Sequence, residues 1–197
     1  IRDRVRIDRL EETIQVIRAH MGDDPIDFKG EHAQLSGFQG APKPVQKPNP
    51  PIMIGGGSKR VLSIGGREAD NVSLNFNNSS GVLGPDGVGL STADETDRKI
   101  GWIRDAAGSR FDVIELEIGA YFTFVGDAGV GVAEGMSKAF GLSKEDMLAH
   151  PHGLFGTVDA ICEELESRRT RYGIHYVTVP DTAIEDFAPI VSKLAGK

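Results

Sequence analysis

The chain has 197 residues, of which 39% are hydrophobic and 26% are charged, and its formal net charge is -7. This size allows one domain with a sizeable core, and the acidic balance excludes a concentrated basic surface for nucleic acid or anionic membrane. The sequence has no apolar run of the roughly 18 residues typical of a membrane-spanning helix. We therefore expect a cytoplasmic protein with neither a nucleic-acid nor a membrane partner, in which the single cysteine, Cys162, is a packed thiol.

The first 41 residues predict a helix followed by a small insertion. Ile7, Leu10, Ile14 and Ile17 recur at helical spacing, which predicts a helix from about Asp3 to His20. Two short extended pieces are expected around the turn at Lys29-Gly30. Residues 42–51 are proline-rich and predict a stiff connection. Because the clean apolar stripe of this helix needs a partner surface, we expect a missing N-terminal part.

Residues 52–197 predict four strand–helix units within a single domain spanning residues 1–197. The predicted strands are Ile52–Ile54, Asn71–Phe76, Val113–Val125 and Ile174–Val179. The predicted helices are Lys59–Ala69; one opened by a Thr92/Glu95 capping box and ended by Gly108; two pieces, around Val132 to Phe140 and after Ser143; Val158–Tyr172, ended by Gly173; and a last helix with Pro189 in its first turn.

Alternation of strands and helices predicts an α/β fold with parallel strands. A doubly wound open sheet and half of a (β/α)8 barrel both satisfy this pattern. Four apolar parallel strands preceded by an unpaired helix favour the C-terminal half of a TIM barrel. In such a barrel, ligands bind at the carboxyl ends of the strands.

The first candidate binding site is the corner formed by Gly55, Gly56, Gly57 and Ser58, between the first predicted strand and its helix. Glycines let a backbone approach a phosphate, and a helix N-terminus offers free N–H groups. The third glycine of a dinucleotide fingerprint is replaced by Arg60, which disfavours a small NAD-binding domain. The alternative interpretation is a tight turn that requires positive φ.

A second candidate is the turn at Gly156 and Thr157, where Thr157 is the predicted N-cap of the following helix. Polar residues after the second strand form a third candidate, either ligand-facing or part of an ordinary solvated loop. They are Asn75, Asn77, Asn78, Ser79 and Ser80.

Other polar residues are interpreted as structural. His150 and His152 flank Pro151 without a cysteine or carboxylate pair at metal-site spacing, so we predict no metal site and treat both as loop residues, although His152 could reach a ligand phosphate. Glu115 and Glu117 share one face in the first half of the third predicted strand, at the stability end of a barrel. His175 is placed at the amino end of the fourth strand.

Three segments resemble the luciferase-like monooxygenase superfamily, and in particular its coenzyme F420-dependent oxidoreductases. They read "KPNPPIMIGGGSKRVLSIGGREADNVSLN", "TDRKIGWIRDAAGSRFDVIELEI" and "GTVDAICEELESRRTRYGIHYVTV". The resemblance implies a TIM barrel, usually dimeric, that binds F420 or FMN and moves a hydride to or from a small organic substrate. It implies that Gly55, Gly56 and Gly57 line the phosphate-bearing tail of the cofactor, that Gly156 and Thr157 form a further anion-binding turn, and that Asn75 and Asn77 face the pocket.

The resemblance leaves the catalytic residues unknown, because the family builds the ring pocket largely from its first four strands. The leading hypothesis is an F420-dependent oxidoreductase of which this chain is the C-terminal half, completed by an N-terminal half-barrel and dimeric. The alternatives are an FMN-dependent monooxygenase and a truncated, non-catalytic relative that binds a flavin and dimerises.

Overall fold

The structure is a computed structural model that describes residues 3–77 and 84–196. Its contacts divide the chain into two compact units, residues 1–52 and residues 53–197. The division falls where the proline-rich connection meets the first predicted strand. Each unit is described separately below.

The N-terminal unit is a helix with a β-hairpin. Helix α1 (Asp3–Met21) and the two short extended pieces, β1 (Ile26–Lys29) and β2 (Gln34–Phe38), are present as predicted, and the structure shows that the two strands pair antiparallel. The Glu12 carboxylate of α1 accepts hydrogen bonds from the backbone N–H groups of Glu31, His32 and Ala33, at 2.8, 2.9 and 2.8 Å. These charge-assisted bonds fasten the turn between β1 and β2 to the helix.

The C-terminal unit contains a parallel sheet with helices in its crossover connections. Its elements are β3 (Met53–Gly56), α2 (Lys59–Glu68), β4 (Asn71–Leu74), α3 (Pro85–Gly89), α4 (Ala93–Ala107), a 3-10 turn (Gly108–Val113), β5 (Glu115–Gly119), β6 (Phe122–Val125), α5 (Gly129–Phe140), α6 (Lys144–Leu148), β7 (Gly153–Gly156), α7 (Val158–Tyr172), β8 (Ile174–Thr178), a second 3-10 turn (Asp181–Ala183) and α8 (Ile184–Leu194).

Four parallel strands form the main sheet in the order β3-β4-β5-β8. The order of these strands along the chain and the helices between them match the four predicted strand–helix units. Parallel neighbouring strands require such crossover connections. Consecutive residues of β4 and β5 are buried, among them Val72, Ser73, Leu116 and Glu117, so these two strands are covered on both faces. Because all pairs are parallel, the carboxyl ends of the four strands lie at one edge of the sheet.

The prediction of one long strand over residues 113–125 is wrong. Val113 ends a 3-10 turn and is 77% exposed, and the strand breaks between Gly119 and Phe122. Before the break, β5 pairs with β4 and β8; after it, β6 pairs in parallel with β7, a strand that the sequence analysis missed. Apolar alternation continues through the break, so it did not reveal the change of partner.

Helix α7 confirms its prediction at both ends. Thr157 Oγ1 accepts from the Ala160 N–H at 3.3 Å, and Gly173 adopts φ 72° at the C-cap. A threonine N-cap contributes about 1 kcal/mol to helix stability. The helix packs into a core with α8 that contains Leu154, Ile161, Cys162, Phe187 and Ile190, so Cys162 is a buried thiol as predicted.

Two predictions about helix starts are corrected. Thr92 precedes α4, but its side chain makes no capping hydrogen bond, and Glu95 instead pairs with Arg98. The reciprocal capping box is therefore absent at this helix start. Pro189 lies inside α8 and not in its first turn, because the helix already begins at Ile184, with Glu185 and Asp186 in its first turn, where acidic side chains favour the helix dipole.

Candidate functional site

The predicted glycine corner lies at the carboxyl end of β3, as expected. Gly55 and Gly56 are the last residues of the strand, and Ser58 is the N-cap of α2, with its Oγ accepting from the Val61 N–H at 3.4 Å. The Asn75 N–H donates to the Gly56 carbonyl at 2.9 Å. The corner is thereby joined to the residue that follows β4.

The glycines are explained by close packing. None of Gly55, Gly56 and Gly57 has a positive φ, so the interpretation as a turn that needs one is wrong. A Cβ at Gly57 would lie 2.4 Å from the carbonyl carbon and oxygen of Phe76, and one at Gly56 would lie 2.5 Å from Val61 Cγ1. The corner and the end of β4 are in direct backbone contact, which only glycine permits.

Asn75 is the centre of a polar cluster at this edge of the sheet. Its Nδ2 donates to Ser73 Oγ at 3.2 Å, and its Oδ1 accepts from the Tyr121 hydroxyl at 2.5 Å. These two bonds fix the orientation of the amide. A Cβ at Gly55 would lie 2.9 Å from Asn75 Nδ2, so the amide packs closely against the glycine.

Tyr121 lies in the break between β5 and β6 and is 49% exposed. Partial burial raises the pKa of its hydroxyl, and the nearby Glu117 carboxylate raises it further. The hydroxyl is therefore a neutral donor at physiological pH. Its lone pairs remain a possible acceptor for a ligand.

Glu117 is in the middle of β5, is only 4% exposed and accepts a hydrogen bond from the Thr178 hydroxyl at 2.8 Å. Glu115, at the amino end of β5, accepts from the Asn71 side chain. Glu117 therefore links the carboxyl-terminal halves of β5 and β8, close to Tyr121. Glu115 lies at the amino end of its strand as predicted, but the placement of Glu117 at that end is wrong, because its carboxylate contacts the last residue of β8.

A buried lysine, Lys99, is hydrogen-bonded to the backbone of Asn75. Lys99, on α4, is 2% exposed, and its ammonium donates to the Asn75 carbonyl at 3.0 Å and to Ser91 Oγ at 2.8 Å. Burial lowers the pKa of Lys99 to about 8, although the Glu95 carboxylate opposes this shift. Both of these acceptors, the ones that the described residues provide, are neutral, and burying an ammonium against neutral acceptors is costly.

His150 and His152 lie in a turn, as predicted, but they are fully buried, which the sequence analysis did not foresee. His150 Nε2 bonds to the Val88 carbonyl at 3.0 Å and its Nδ1 accepts from the His152 N–H at 3.2 Å, while His152 Nδ1 bonds to the Gly119 carbonyl at 2.8 Å. Burial lowers the pKa of His150 to about 4 and that of His152 to about 3. Both rings are neutral, with the proton on the nitrogen that faces a carbonyl.

The second predicted turn lies at the end of β7. Gly156 has φ +125°, Thr157 is the exposed N-cap of α7, and the first turn of the helix carries Asp159. Phe76 reaches the other end of this strand, because its ring lies 4.3 Å from the ring of His152, which directly precedes β7. The glycine corner, which packs on the Phe76 backbone, is thereby connected to the amino end of β7, whereas Gly156 and Thr157 lie at the carboxyl end.

Three of the predicted polar-loop residues, Asn78, Ser79 and Ser80, lie outside the described residues, and Asn77 is half-buried. The sequence analysis missed Lys99, Tyr121, Ser73 and Thr178. The signal for Lys99 was present, because it lies four residues before the buried Ile103 and next to Ile100, on the apolar stripe of α4. Within residues 3–77 and 84–196, no group of His, Cys, Asp or Glu has the geometry of a metal site. No described helix is long and apolar enough to cross a bilayer.

Residues 3–81, which contain the glycine corner and β4, match the family model for luciferase-like monooxygenases. The resemblance to the luciferase-like proteins is thus confirmed. A comparison with curated proteins gave no match.

Solved structures confirm the luciferase-like barrel fold. The F420-dependent tetrahydromethanopterin reductase from Methanopyrus kandleri is 16% identical with a TM-score of 0.68, over 95% of this chain and 62% of that one. EDTA monooxygenase from Chelativorans sp. BNC1 is 14% identical with a TM-score of 0.69, over 98% and 60%. A riboflavin lyase, solved with modified FMN and riboflavin, is 13% identical with a TM-score of 0.65, over 96% and 57%.

The chain spans about three fifths of the length of these luciferase-like structures. Its four-stranded parallel sheet is therefore part of an α/β barrel of the luciferase-like type. These three neighbours are a reductase, a monooxygenase and a lyase; the reductase is F420-dependent, and the lyase was solved with modified FMN. The luciferase-like fold thus covers both cofactor classes.

Proposed function

We propose that the protein containing this chain is an F420-dependent oxidoreductase of the luciferase-like type, which transfers a hydride between the deazaflavin and a small organic substrate. The observation that carries this proposal is the Asn75–Tyr121 pair at the carboxyl ends of the parallel strands, where barrels of this fold bind ligands. FMN is the alternative cofactor, because it is named with a structural neighbour of equally low identity.

The residues at the glycine corner fit the phosphate-bearing tail of either cofactor. Helix α2 has ten residues, an N-cap serine and no acidic residue in its first turn, and Lys59 at its first position is exposed. This arrangement places N–H groups and a cation where an anion is stabilised. The N-terminus of α7 fits less well, since the carboxylate of Asp159 lies in its first turn.

The Asn75 cluster fits a neutral polar part of the ligand. The Asn75 amide carries a second N–H besides the one that bonds to Ser73 Oγ, and the Tyr121 hydroxyl carries acceptor lone pairs. Together they offer a donor and an acceptor to a hydroxyl or amide group of the ligand. In this proposal Gly55, Gly56, Gly57 and Ser58 bind the tail, Asn75, Asn77 and Tyr121 orient the polar middle, and Gly156 with Thr157 form a secondary contact.

A bound deazaflavin would supply the hydride-carrying ring, and the protein would supply binding, orientation and exclusion of water. We assign no catalytic acid or base to the described residues, in agreement with the expectation that the ring pocket belongs largely to the other half of the barrel. Tyr121 and Asn75 are proposed as orienting groups only.

We further propose that the outer strands of the four-stranded sheet, β3 and β8, are completed by an N-terminal half-barrel, and that the whole protein is a homodimer. Support comes from the coverage of about three fifths of each neighbour and from the unpaired strand edges that a barrel closes. Intact mass and light scattering of the purified protein test both statements. A monomer of the mass of this chain alone would contradict them.

Titration with F420 and, separately, with FMN tests the cofactor proposal, with ligand fluorescence as the readout. Binding of F420 at least about tenfold tighter than FMN, a difference of 1.4 kcal/mol, would support the F420 assignment. The reverse preference would identify a flavin enzyme. If neither ligand binds, the proposed function is wrong. Binding without turnover of either reduced cofactor would indicate a non-catalytic relative.

A further inference from the structure

Lys99 touches two chain segments that are distant from each other in sequence. Its ammonium donates to the Asn75 carbonyl, directly after β4, and to the Ser91 hydroxyl, two residues before α4. Ser91 is fully buried, and Lys99 itself is 2% exposed. One side chain therefore joins the two ends of residues 76–90.

Stability alone does not explain a lysine at this position. Burying an ammonium costs free energy unless it is well paired, and its two acceptors among residues 3–77 and 84–196 are a carbonyl and a hydroxyl, both neutral. Glu95 and Arg98, on the same helix, shift the pKa of Lys99 in opposite directions. An apolar residue of similar length would satisfy the apolar stripe of α4 at lower cost.

The contact between Lys99 and Asn75 is one of several hydrogen bonds that fix the position of Asn75. Three groups of Asn75 are hydrogen-bonded. Its backbone carbonyl accepts from Lys99, its side-chain oxygen accepts from the Tyr121 hydroxyl, and its backbone N–H donates to the Gly56 carbonyl. A second anchor, from His150 Nε2 to the Val88 carbonyl, fixes α3 near the end of the same loop. The position of the Asn75 amide is thus defined by bonds from three different elements.

We propose that Lys99 is a positioning residue for the candidate ligand site, which fixes Asn75 and the two ends of the loop that follows β4. This inference rests on the proposed function for its effect on ligand binding, and on the structure alone for its effect on the loop ends. The two effects are measured separately.

The first measurement is ligand affinity in wild-type protein and in the Lys99→Met, Lys99→Arg and Ile103→Val variants, with F420 and FMN as the probes. Lys99→Met keeps the length and removes the donors, and we expect the affinity for the bound cofactor to fall at least about tenfold. Lys99→Arg restores donors and should recover part of the loss. Ile103→Val is a destabilising control in the same helix, buried and without a polar contact role, and should leave affinity within about twofold.

The second measurement needs no ligand. Hydrogen exchange in Lys99→Met should become faster in peptides covering residues 71–77 and 84–91 together, by about tenfold more than in Ile103→Val. If Lys99→Met does not fold, Ser91→Ala keeps the lysine, removes one acceptor and should loosen the 84–91 peptide selectively.

The outcomes separate the two proposals. If wild-type protein binds neither cofactor, the proposed function fails, and the exchange experiment alone decides the role of Lys99. If wild-type protein binds and Lys99→Met binds equally well, Lys99 does not position the site. Unchanged exchange in either flanking peptide would overturn the inference in both cases.

Discussion

The Tyr121 hydroxyl donates a 2.5 Å hydrogen bond to the side-chain oxygen of Asn75, joining the break after β5 to the end of β4. The residues are far apart in sequence and follow two adjacent parallel strands, β4 and β5. Their contact orients the amide that we assign to ligand binding. Removing the hydroxyl therefore tests the site more directly than removing the asparagine.

Tyr121→Phe should weaken cofactor binding by about three- to tenfold, because a typical hydrogen bond contributes about 1 kcal/mol and the amide loses its fixed orientation. Stability should change by no more than about 1 kcal/mol, since the ring keeps its contacts with Phe76 and His152. Fluorescence titration and denaturant unfolding measure the two effects. Tyr172→Phe is the matched control, because its hydroxyl bonds to the Ala93 carbonyl at the start of α4. Equal affinity in both variants would remove Tyr121 from the site.

Gly57→Ala should destabilise the protein by roughly 2–3 kcal/mol, because the new methyl group would lie 2.4 Å from the Phe76 backbone and the sheet must shift to accept it. Gly101→Ala is the control. Gly101 lies inside α4 with open space around its Cβ position, so alanine there should stabilise by about 0.5–1 kcal/mol through helix propensity. Chemical unfolding of both variants checks the contrast. A stable Gly57→Ala protein would show that the glycine corner does not contact the end of β4 in this way.

The elements that the sequence predicted well are those defined by local contacts. Helix α7 has its cap threonine and its terminal glycine within a few residues of its ends, so both boundaries could be predicted. The buried histidines could not, because His150 bonds to Val88 and His152 to Gly119, both distant in sequence. The break in the third strand also depends on distant partners, since β5 pairs with β8 and β6 with β7.

The same distinction between local contacts and contacts distant in sequence applies to the candidate site. The glycine corner and Asn75 could be predicted, because they directly follow apolar strands in a recognisable pattern. Tyr121 and Thr178 join the cluster only through strand adjacency, which a single sequence does not show. Lys99 is an intermediate case, because the periodicity of α4 placed it on the buried face although its acceptors were unknown.

Acid should destabilise the protein through its two buried histidines. The pKa of His150 is about 4 and that of His152 about 3, whereas an unfolded histidine titrates near 6.5. Between these values the unfolded state binds more protons, so the free energy of unfolding falls as the pH is lowered from about 6.5 towards 4. The loss should be on the order of 3 kcal/mol per histidine. His150→Gln should reduce this slope by about half, whereas His175→Gln, at an exposed position, should leave it unchanged. Urea unfolding from pH 7 to pH 4 gives the slopes, and equal slopes in the two variants would contradict the assignment.

Lys99 should produce a pH dependence of the same sign, but at alkaline pH. Its folded pKa is about 8, below the unfolded value near 10.4, so the unfolded state binds more protons between these values and stability rises with pH across that window. Relative to Lys99→Met, the wild type should gain roughly 2–3 kcal/mol between pH 8 and pH 10. Lys138→Met, which removes an exposed lysine that pairs with Glu134, should follow the wild-type profile. Urea unfolding of the three proteins at pH 7, 8, 9 and 10 measures the difference. If the free energy of unfolding of the wild type and of Lys99→Met changes equally with pH, the buried ammonium is not destabilised by its surroundings. The energetic argument that this lysine is kept for positioning would then be wrong.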